Sequence, residues 1–405
     1  MLTDQTLTEK ATQHMHKFCV DIGHRHVGSS NNKVAIDYFE KMIKDSGFTT
    51  ERQEFDCIDW ESGKTSLNID SVLYKVFPSP YSLSCDLRAE LISAKSLDVL
   101  NSLDVEGKVL LLHGQIAREQ VMAKNFVFYN PDEHKAIIST LESKKPAAII
   151  AATGKNPELA GGWYPFPMFE DGDFDIPSVY MKDIDGVKLL DHVGEIVELQ
   201  IESQRIPSTG CNIVATKKGE VEERIVICAH IDTKKSTPGA LDNGTGLSIL
   251  LLLADILKNY NGKYTLEIVA LNGEDYYSAP GQMKYLEENE SRFSNIKLVV
   301  NIDAAGSRNV TTAFSFYEVP AAFQKVFENN IKSRRACMIG DPWYQGDHSI
   351  FIQRGCPAIA VTSENFMELC TEVTHTEKDT VDLVDDEKLV EIAYILGECI
   401  EAISS

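Results

Sequence analysis

The sequence predicts an α/β protein whose mixed, mostly parallel sheet is sandwiched by helices, with a smaller and mainly β domain inserted into it. Beyond about residue 205, apolar runs alternate with helical patterns, and strands that are apolar on both faces are typical of a parallel sheet covered on both sides. Between about residues 66 and 204, strand-like runs dominate. The length of 405 residues leaves room for one large domain and one smaller domain.

We therefore predict a discontinuous larger domain formed by residues 1–65 and 205–405, and an inserted domain formed by residues 66–204. The chain opens with helical spacing over 6–19 and again over Asn31–Ser46. Gly47 follows as a helix stop signal, and residues 49–55 have the pattern of a strand.

The remaining elements follow in the same alternation. In the inserted domain we predict one helix at 131–142 and strands at 87–93, 107–114, 147–154, 176–181 and 195–201. In the larger domain we predict strands at 224–229, 265–271, 297–302 and 357–361, with helices at 247–257, 322–333 and 387–403.

The bulk composition narrows the class of partner and the compartment. A formal net charge of −22 argues against nucleic acid and anionic membranes, because both require a basic surface. The N-terminal stretch lacks the apolar region of a secretory signal, and the longest apolar run, Ile249–Ala254, is too short to span a bilayer. Nine cysteines without a C-x-x-C pair fit reduced thiols. We expect a cytoplasmic protein with no membrane or nucleic-acid partner, and self-association into a homo-oligomer remains open.

Side chains with the chemistry of metal ligands follow three of the predicted strands. They are found in the runs His230-Ile-Asp232, Asn272-Gly-Glu-Asp275 and Asp303. A fourth strand, 357–361, leads into a loop that contains His375. Open α/β sheets bind ligands beyond the carboxyl ends of their strands. We therefore expect these side chains to lie together at one edge of the sheet.

The residue types indicate a metal-dependent hydrolytic centre. Zinc binds imidazole nitrogen and carboxylate oxygen, and two neighbouring cations favour a bridging carboxylate, a role that suits Asp242 in its Gly-rich loop. Asp232 points the same way as His230 along the strand and is predicted to accept its second ring N–H. Of the adjacent carboxylates Glu274 and Asp275, one can bind metal while the other serves as a base toward metal-bound water.

The same segments resemble the successive motifs of the M28 family of zinc aminopeptidases. The runs span residues 229–385 in the family's order and read AHIDTKKSTPGALDNGTG, NGED, NID, GDHSIFIQRGCPAI and THTEKDTVDLVD. VGSSNNKVAIDYF resembles the opening helices of the family. EGKVLLLHG, KPAAIIAATG and DIPSVYMKDIDGVKLL resemble parts of the protease-associated (PA) domain that many members carry as an insertion.

This resemblance implies a zinc exopeptidase fold, a peptide substrate and two Zn²⁺ ions per chain. His230 and Asp303 would bind one zinc, Asp275 and His375 the other, and Asp242 would bridge them. The larger domain would then be the catalytic one, and residues 66–204 would form a PA-like domain.

The resemblance also assigns roles around the metal ions. Glu274 would be the general base, and His348 would stabilise the tetrahedral oxyanion. A cis peptide is expected between Asp242 and Asn243. Many members have two glutamates where this chain has Glu274-Asp275. The shorter Asp275 leaves the metal–metal distance and the preferred metal open.

Four functions remain open at this point. The leading prediction is an aminopeptidase that removes N-terminal residues through a water activated by two zinc ions. The alternatives are a carboxypeptidase or dipeptidase on the same centre, a glutaminyl cyclase, and a non-catalytic binding protein on a peptidase scaffold. We interpret His24 and His26 as structural or solvated residues, and His14 and His16 as surface residues. The aromatic stretch 161–169 is either a packed loop or a substrate contact.

Overall fold

The computed structural model describes residues 4–156 and 160–405, which form two compact units. The first unit comprises the residues up to Cys57 together with Thr209–Leu369 and Val373–Ser405, and the second comprises Ile58–Ser208 and Cys370–Glu372. The boundaries predicted from the sequence, 65/66 and 204/205, fall inside two long strands. Neither composition nor a turn marks a boundary inside a continuous strand, so the sequence alone could not place it.

The elements are numbered in chain order. The helices are α1 (Asp4–His16), α2 (Ser30–Asp45), α3 (Leu97–Ser102), α4 (Asp132–Lys144), α5 (Asp183–Leu189), α6 (Thr245–Ile256), α7 (Pro280–Asn289), α8 (Ala321–Lys332), α9 (His348–Ile352), α10 (Phe366–Glu372) and α11 (Asp386–Ile403). The strands are β1 (Thr49–Ile69), β2 (Val72–Tyr74), β3 (Phe77–Pro78), β4 (Cys85–Ala94), β5 (Val109–Leu112), β6 (Ala148–Thr153), β7 (Ser178–Lys182), β8 (Ile196–Lys217), β9 (Arg224–His230), β10 (Thr265–Leu271), β11 (Ile296–Ile302), β12 (Thr312–Tyr317), β13 (Cys337–Ile339) and β14 (Ala358–Ser363).

The sheet of the first unit has the order β13-β12-β14-β11-β9-β10, and β10 pairs on its other side with residues 213–217 of β8. β9 is parallel to β10 and β11, and β11 is parallel to β14. The pairs β8–β10 and β12–β14 are antiparallel. The predicted mixed, mostly parallel sheet is therefore confirmed. The carboxyl ends of its four central parallel strands meet at one edge.

A buried helix accounts for much of the core of this unit. All but two of the residues of α6 are buried, and α11 packs against it. Within the described residues, one helical stretch, Ala240–Asn259, has the length and composition of a membrane-crossing helix, but 89% of its most apolar window is buried inside the protein. This helix is apolar all round because it is covered all round.

The structure adds elements that the sequence patterns did not predict. β12 and β13 lie on the outer side of β14, and α7 begins with Pro280 at its first turn. Short edge strands and helices of mixed polarity carry little periodicity, which explains why they were missed.

The second unit is built on its own small sheet. β4, β5, β6 and β7 are parallel, while β8 and β3 pair antiparallel with β4 and β7. Alternate residues of β5 face two different apolar clusters. Leu110 and Leu112 belong to one cluster, and Val109 and Leu111 belong to the other. The predicted helix 131–142 is present as α4, and α3 and α5 are additional. The PA-like character of this unit stays a prediction.

Two side issues of the sequence interpretation are decided by burial. In the aromatic stretch 161–169, Met168 and Phe169 pack in an apolar cluster of the second unit and Phe166 is fully buried. Packing therefore accounts for two of its four aromatic side chains, whereas Tyr164 is exposed. Ser29 caps α2 by accepting a hydrogen bond from the backbone N–H of Asn32, at the predicted helix start. His26 lies just before it, buried and stacked on His24.

The prediction that His14 lies at the surface is wrong. Its side chain is buried, and its Nδ1 lies 2.8 Å from the hydroxyl of Tyr38. His16, two residues further along the same helix, is exposed as expected. Burial lowers the pKa of His14 to about 4, against the opposing influence of Asp255.

This burial predicts a pH-dependent contribution of His14 to stability. The unfolded chain takes up a proton on this ring below about pH 6.5, whereas the folded chain does so only near pH 4. The free energy of unfolding should therefore fall as the pH falls through this window, by about 2 kcal/mol between pH 7 and pH 5. In urea unfolding, the His14→Asn variant should not show this decrease between pH 7 and pH 5, whereas the wild type should. His16→Asn, on the exposed side of the same helix, should keep it; equal pH dependence in all three proteins would contradict the prediction.

Candidate metal centre

The ends of three parallel strands bring the candidate ligands to one edge of the sheet. β9 ends at His230, and Leu271 at the end of β10 lies opposite it in register. β11 ends at Ile302 and is followed directly by Asp303. The three strands are buried along nearly their whole length. The candidate ligands come at or just after the residue where each strand leaves the core.

Two groups of three side chains meet at this edge. His230 Nε2 lies 3.1 Å from Asp242 Oδ1 and 3.6 Å from Asp303 Oδ1. His375 Nε2 lies 3.3 Å from Asp242 Oδ2 and 3.0 Å from Asp275 Oδ1. Within each group the ligating atoms lie no more than 4.8 Å apart. The structure therefore brings together all five predicted ligands.

Asp242 belongs to both groups. Its Oδ1 faces His230 and its Oδ2 faces His375. A carboxylate that directs one oxygen to each of two neighbouring donor sets has the arrangement required to bridge two cations.

The loop that carries Asp242 has an unusual backbone. The peptide bond between Asp242 and Asn243 is cis, as the resemblance implied. Asn243 is fully buried, and its side chain donates to the carbonyl of Ile302 at 2.8 Å, next to Asp303. Gly239 has φ +60°, and a Cβ there would lie 2.3 Å from Thr233 Cγ2 and 2.6 Å from the carbonyl oxygen of Asp242. Only glycine fits this approach.

The structure corrects the predicted role of Asp232. Its Oδ1 lies 3.8 Å from His230 Nδ1, and the nearer acceptor for that nitrogen is the backbone carbonyl of Asp232 at 3.2 Å. The carboxylate instead accepts the backbone N–H groups of Gly273, Glu274 and Asp275 at 2.8, 3.3 and 3.0 Å. Asp232 therefore holds the loop that carries the two adjacent carboxylates.

Glu274 stands apart from the ligands. In the described part of the chain it belongs to neither three-residue group, and its side chain is only partly buried, whereas Asp275 is buried. Burial raises the pKa of Glu274 well above its usual range, and Asp275, Asp303 and Asp347 add to the effect while His230 opposes it. A carboxylate with a raised pKa is better suited to accept a proton near neutral pH.

His348 does not have the geometry of the predicted oxyanion donor. It is fully buried, its Nε2 lies 2.8 Å from the carbonyl oxygen of Trp343, and its Nδ1 lies 3.3 Å from Asn301 Nδ2. The neutral ring donates to the carbonyl and accepts from the amide, so neither nitrogen is left for a substrate oxygen. Burial lowers the pKa of His348 to about 4, which favours this neutral form.

Three charged residues near the centre were not singled out from the sequence. Asp347 is buried and accepts from Gln282 Nε2 at 2.8 Å. Arg25 and Asp379 are both fully buried and contact the loop of Asp242. Each lies close to a residue that the sequence analysis named: Asp347 precedes His348, Arg25 follows His24, and Asp379 lies in the motif that contains His375. The sequence does not show that such a charged loop residue is buried.

The charges of the centre act mainly on one another. Burial opposes the charged form of Asp242, but His230 and His375 outweigh it and lower the pKa of this carboxyl group. Burial lowers the pKa of both histidines, but the neighbouring carboxylates raise it. The resulting pKa lies well above the usual value for histidine. Burial raises the pKa of Asp303, which His230 opposes. So many buried carboxylates in one place favour the presence of added positive charge.

The donor set fits divalent cations. Each group offers one imidazole nitrogen and two carboxylate oxygens, the ligands that zinc binds in proteins. Asp275 Oδ2 is buried and has no hydrogen-bond partner among the described residues, as expected for an oxygen that faces a cation. A third group, formed by Asp70, His192 and Glu195 in the second unit, is largely exposed, and His192 is already paired with Glu195 at 2.7 Å.

Comparison with known proteins gives the family. Residues 212–400 match the family model described as peptidase family M28. The match covers just under half of the chain and identifies this part as a peptidase family M28 region. The matched region contains every candidate ligand of the two groups, and a peptidase family is a family of hydrolases.

Several relatives of this chain are described as aminopeptidases. A probable leucine aminopeptidase 2 of Aspergillus oryzae is 24% identical over 294 residues, which are 70% of this chain and 55% of the fungal protein. An aminopeptidase of Aneurinibacillus sp. strain AM-1 has the same fold, with a TM-score of 0.75 and 19% identity over 98% of this chain and 95% of that one. The zinc aminopeptidase of Bacillus subtilis has a TM-score of 0.74 and 17% identity, over 98% of this chain and 94% of that one.

A transferase has a more distant likeness to this chain. The glutaminyl cyclase of Macrostomum lignano has a TM-score of 0.53 and 12% identity over 98% of this chain and 89% of that one. At these identities the structural likenesses establish the fold alone.

Proposed function

We propose that this protein is an aminopeptidase that uses two zinc ions to hydrolyse the first peptide bond of a peptide. The observation that carries the proposal is the shared carboxylate of Asp242, which directs one oxygen to each of two complete donor sets. The description of relatives as leucine aminopeptidases supports the same reaction.

Zinc bound at such a centre supplies Lewis acidity, which makes water nucleophilic near neutral pH and polarises a carbonyl group. His230 and Asp303 would hold one ion, Asp275 and His375 the other, with Asp242 between them. The loop of Asp275 is fixed by Asp232 through three backbone N–H groups.

Glu274 would move the proton. Glu274 is next to the ligand Asp275 in sequence and, among the described residues, belongs to neither donor group. Its raised pKa makes it a stronger base than an exposed glutamate. In this role it takes a proton from the attacking water and returns it to the amine of the leaving peptide. His348 would contribute only by packing, because both of its ring nitrogens are engaged within the protein.

The charge around the centre favours a substrate with a free amino end. The six carboxyl groups of the centre exceed the four positive charges that two divalent ions would bring; they are Asp232, Asp242, Glu274, Asp275, Asp303 and Asp347. The charged groups that act most strongly on these side chains are each other and the two histidines. An ammonium group is attracted by such a field, whereas the carboxylate recognised by a carboxypeptidase is repelled.

A cytoplasmic location remains part of the proposal. All nine cysteines lie in the described part of the chain, and each is free, which supports a reducing compartment. The acidic surface supports the absence of nucleic-acid and membrane partners.

A substrate screen tests the proposed function. The zinc-loaded protein should cleave aminoacyl and peptide substrates with a free N-terminus, and a chelator should abolish the reaction. The same peptides with an acetylated N-terminus should be cleaved at least about 100-fold more slowly, because a charged group that recognition requires is missing. Release of the C-terminal residue would favour a carboxypeptidase, and formation of pyroglutamate from N-terminal glutamine a cyclase. Failure to bind zinc and to turn over any substrate would favour the binding-protein alternative.

A further inference from the structure

The loop that ends in Asp242 is held from two sides by buried charged side chains that do not touch the ligand side chains. Residues 238–242 connect the segment after His230 to helix α6 without being part of the sheet. Arg25 contacts this loop from the N-terminal segment, and Asp379 contacts it from the segment that follows His375.

Arg25 joins the loop to the segment of His230. Its Nε donates to the carbonyl of Ile231 at 2.8 Å, and its Nη1 and Nη2 donate to the carbonyls of Pro238 and Gly239 at 2.9 and 3.0 Å. Its own backbone N–H donates to Thr233 Oγ1 at 2.9 Å. A guanidinium group carries several donors in a rigid plane, so one side chain can set the distance between two backbone segments.

Asp379 joins the same loop to the segment of His375. Its Oδ1 accepts the backbone N–H of Leu241 at 2.8 Å, and its Oδ2 accepts that of Asp242 at 3.0 Å. Its carbonyl accepts the N–H of Ala240 at 3.2 Å. Thr237 adds a further link, since its hydroxyl donates to the carbonyl of Thr376 at 2.8 Å.

We propose that Arg25 and Asp379 are positioning residues that set the place of Asp242 between the two donor sets. A bridging carboxylate must satisfy two cations at once, so a small displacement of its backbone strengthens one side and weakens the other. Arg25 fixes the loop relative to His230, and Asp379 fixes it relative to His375. The inference rests on the proposed two-metal function. It assigns the cooperation of the two sites to residues outside both of them.

Two conservative exchanges test this arrangement. Asp379→Asn replaces one acceptor of a backbone N–H by an amide donor, and Arg25→Lys keeps the charge but cannot reach three carbonyls in one plane. Thr237→Val removes a single link between the same two segments and is a milder version of the test.

The chain offers a matched control for each exchange. Asp171 in the second unit is also buried and accepts two backbone N–H groups, those of Lys124 and Asp173. Arg224 is a buried arginine at the opposite end of β9 from His230, paired with Glu267 at 2.7 Å. Asp171→Asn and Arg224→Lys should lower stability without changing the metal centre.

The measurement is titration of the metal-free protein with Co²⁺, followed by visible absorbance and calorimetry, with electron paramagnetic resonance to detect coupling between the two ions. In Asp379→Asn and Arg25→Lys the second equivalent should bind about 10–100-fold more weakly than in wild type, and the coupling should decrease. Thr237→Val should shift the second equivalent in the same direction by a smaller factor, and the two control variants should match wild type.

The outcomes separate the two claims. If Asp379→Asn, Arg25→Lys and Thr237→Val all bound both ions as the wild type does, with unchanged coupling, the positioning role would be overturned. The proposed function would remain intact. Fewer than two Co²⁺ ions per wild-type chain would overturn the two-metal function and this inference with it. Circular dichroism and urea unfolding of the metal-free proteins verify that the variants compared are folded.

Discussion

Glu274→Gln is expected to keep the fold and both metal ions and to lower turnover by about 10³–10⁴-fold. Gln has the size of Glu but cannot accept a proton, and positioned general bases typically contribute about 10²–10⁴-fold to the rate. The upper part of that range applies because this residue would both accept the proton of water and return it to the leaving amine. Since Glu274 belongs to neither donor group among the described residues, the metal content should not change.

The measurement for Glu274→Gln combines steady-state kinetics with elemental analysis. The decrease should appear in kcat, with the zinc content of the purified protein and its circular dichroism equal to wild type. Glu290→Gln is a control at an exposed position after α7, and it should have wild-type activity. Retained turnover in Glu274→Gln would remove this residue from the role of base, and loss of zinc would assign it to the ligands instead.

Asp242→Asn is expected to disrupt binding of both metal ions and to reduce activity below detection. The exchange preserves shape but removes the negative charge that faces His230 and His375. Each donor set then loses an anionic ligand, and the two cations lose the charge between them that offsets their repulsion. Substitution of a hydrogen-bond partner outside the ligand shell typically lowers metal affinity by about 10–100-fold. Loss of a ligand that both ions share should therefore lower it by more than about 100-fold.

Zinc affinity of Asp242→Asn is best measured by competition with a chromophoric chelator at constant pH. Asp341→Asn changes the same residue type at an exposed position of the first unit and should bind two ions as the wild type does. If Asp242→Asn bound two zinc ions with wild-type affinity, Asp242 would not be the bridge. If it lost a single ion and kept the other unchanged, Asp242 would be a ligand of one site only.

The centre itself was largely predictable because three of its ligands follow apolar runs that are readily identified as buried strands. RIVICA, TLEIVAL and KLVVNI are apolar on both faces, and such runs belong to a buried parallel sheet whose carboxyl ends share one edge. His230, Asp275 and Asp303 could thus be assigned to one place without coordinates. Asp242 and His375 lie in loops, where periodicity gives no guide. The chemistry of a bridging carboxylate singled out Asp242, the loop after a fourth strand singled out His375, and the resemblance to family motifs assigned their roles.

The roles of residues around the centre could not be predicted in the same way. Asp232 was expected to orient His230 through its carboxylate, but that carboxylate accepts backbone N–H groups of the loop of Glu274. His348 was expected to face the substrate, but its ring is enclosed between Trp343 and Asn301. In both cases the residue lies near the predicted place, but a hydrogen-bond partner from a distant part of the sequence, Gly273 for Asp232 and Asn301 for His348, takes up its side chain.

By itself, the sequence determined the fold class, the edge of the sheet that carries the chemistry, and the types of ligand gathered there. Strand patterns and residue chemistry are local properties, and they can be identified along the chain. Only the tertiary structure decided that Asp242 divides its two oxygens between His230 and His375, and that Arg25 and Asp379 hold its loop. The contacts of Asp242 with His375, and of its loop with Arg25 and Asp379, join residues more than 100 positions apart. Their geometry depends on how the loops pack, which no local pattern encodes.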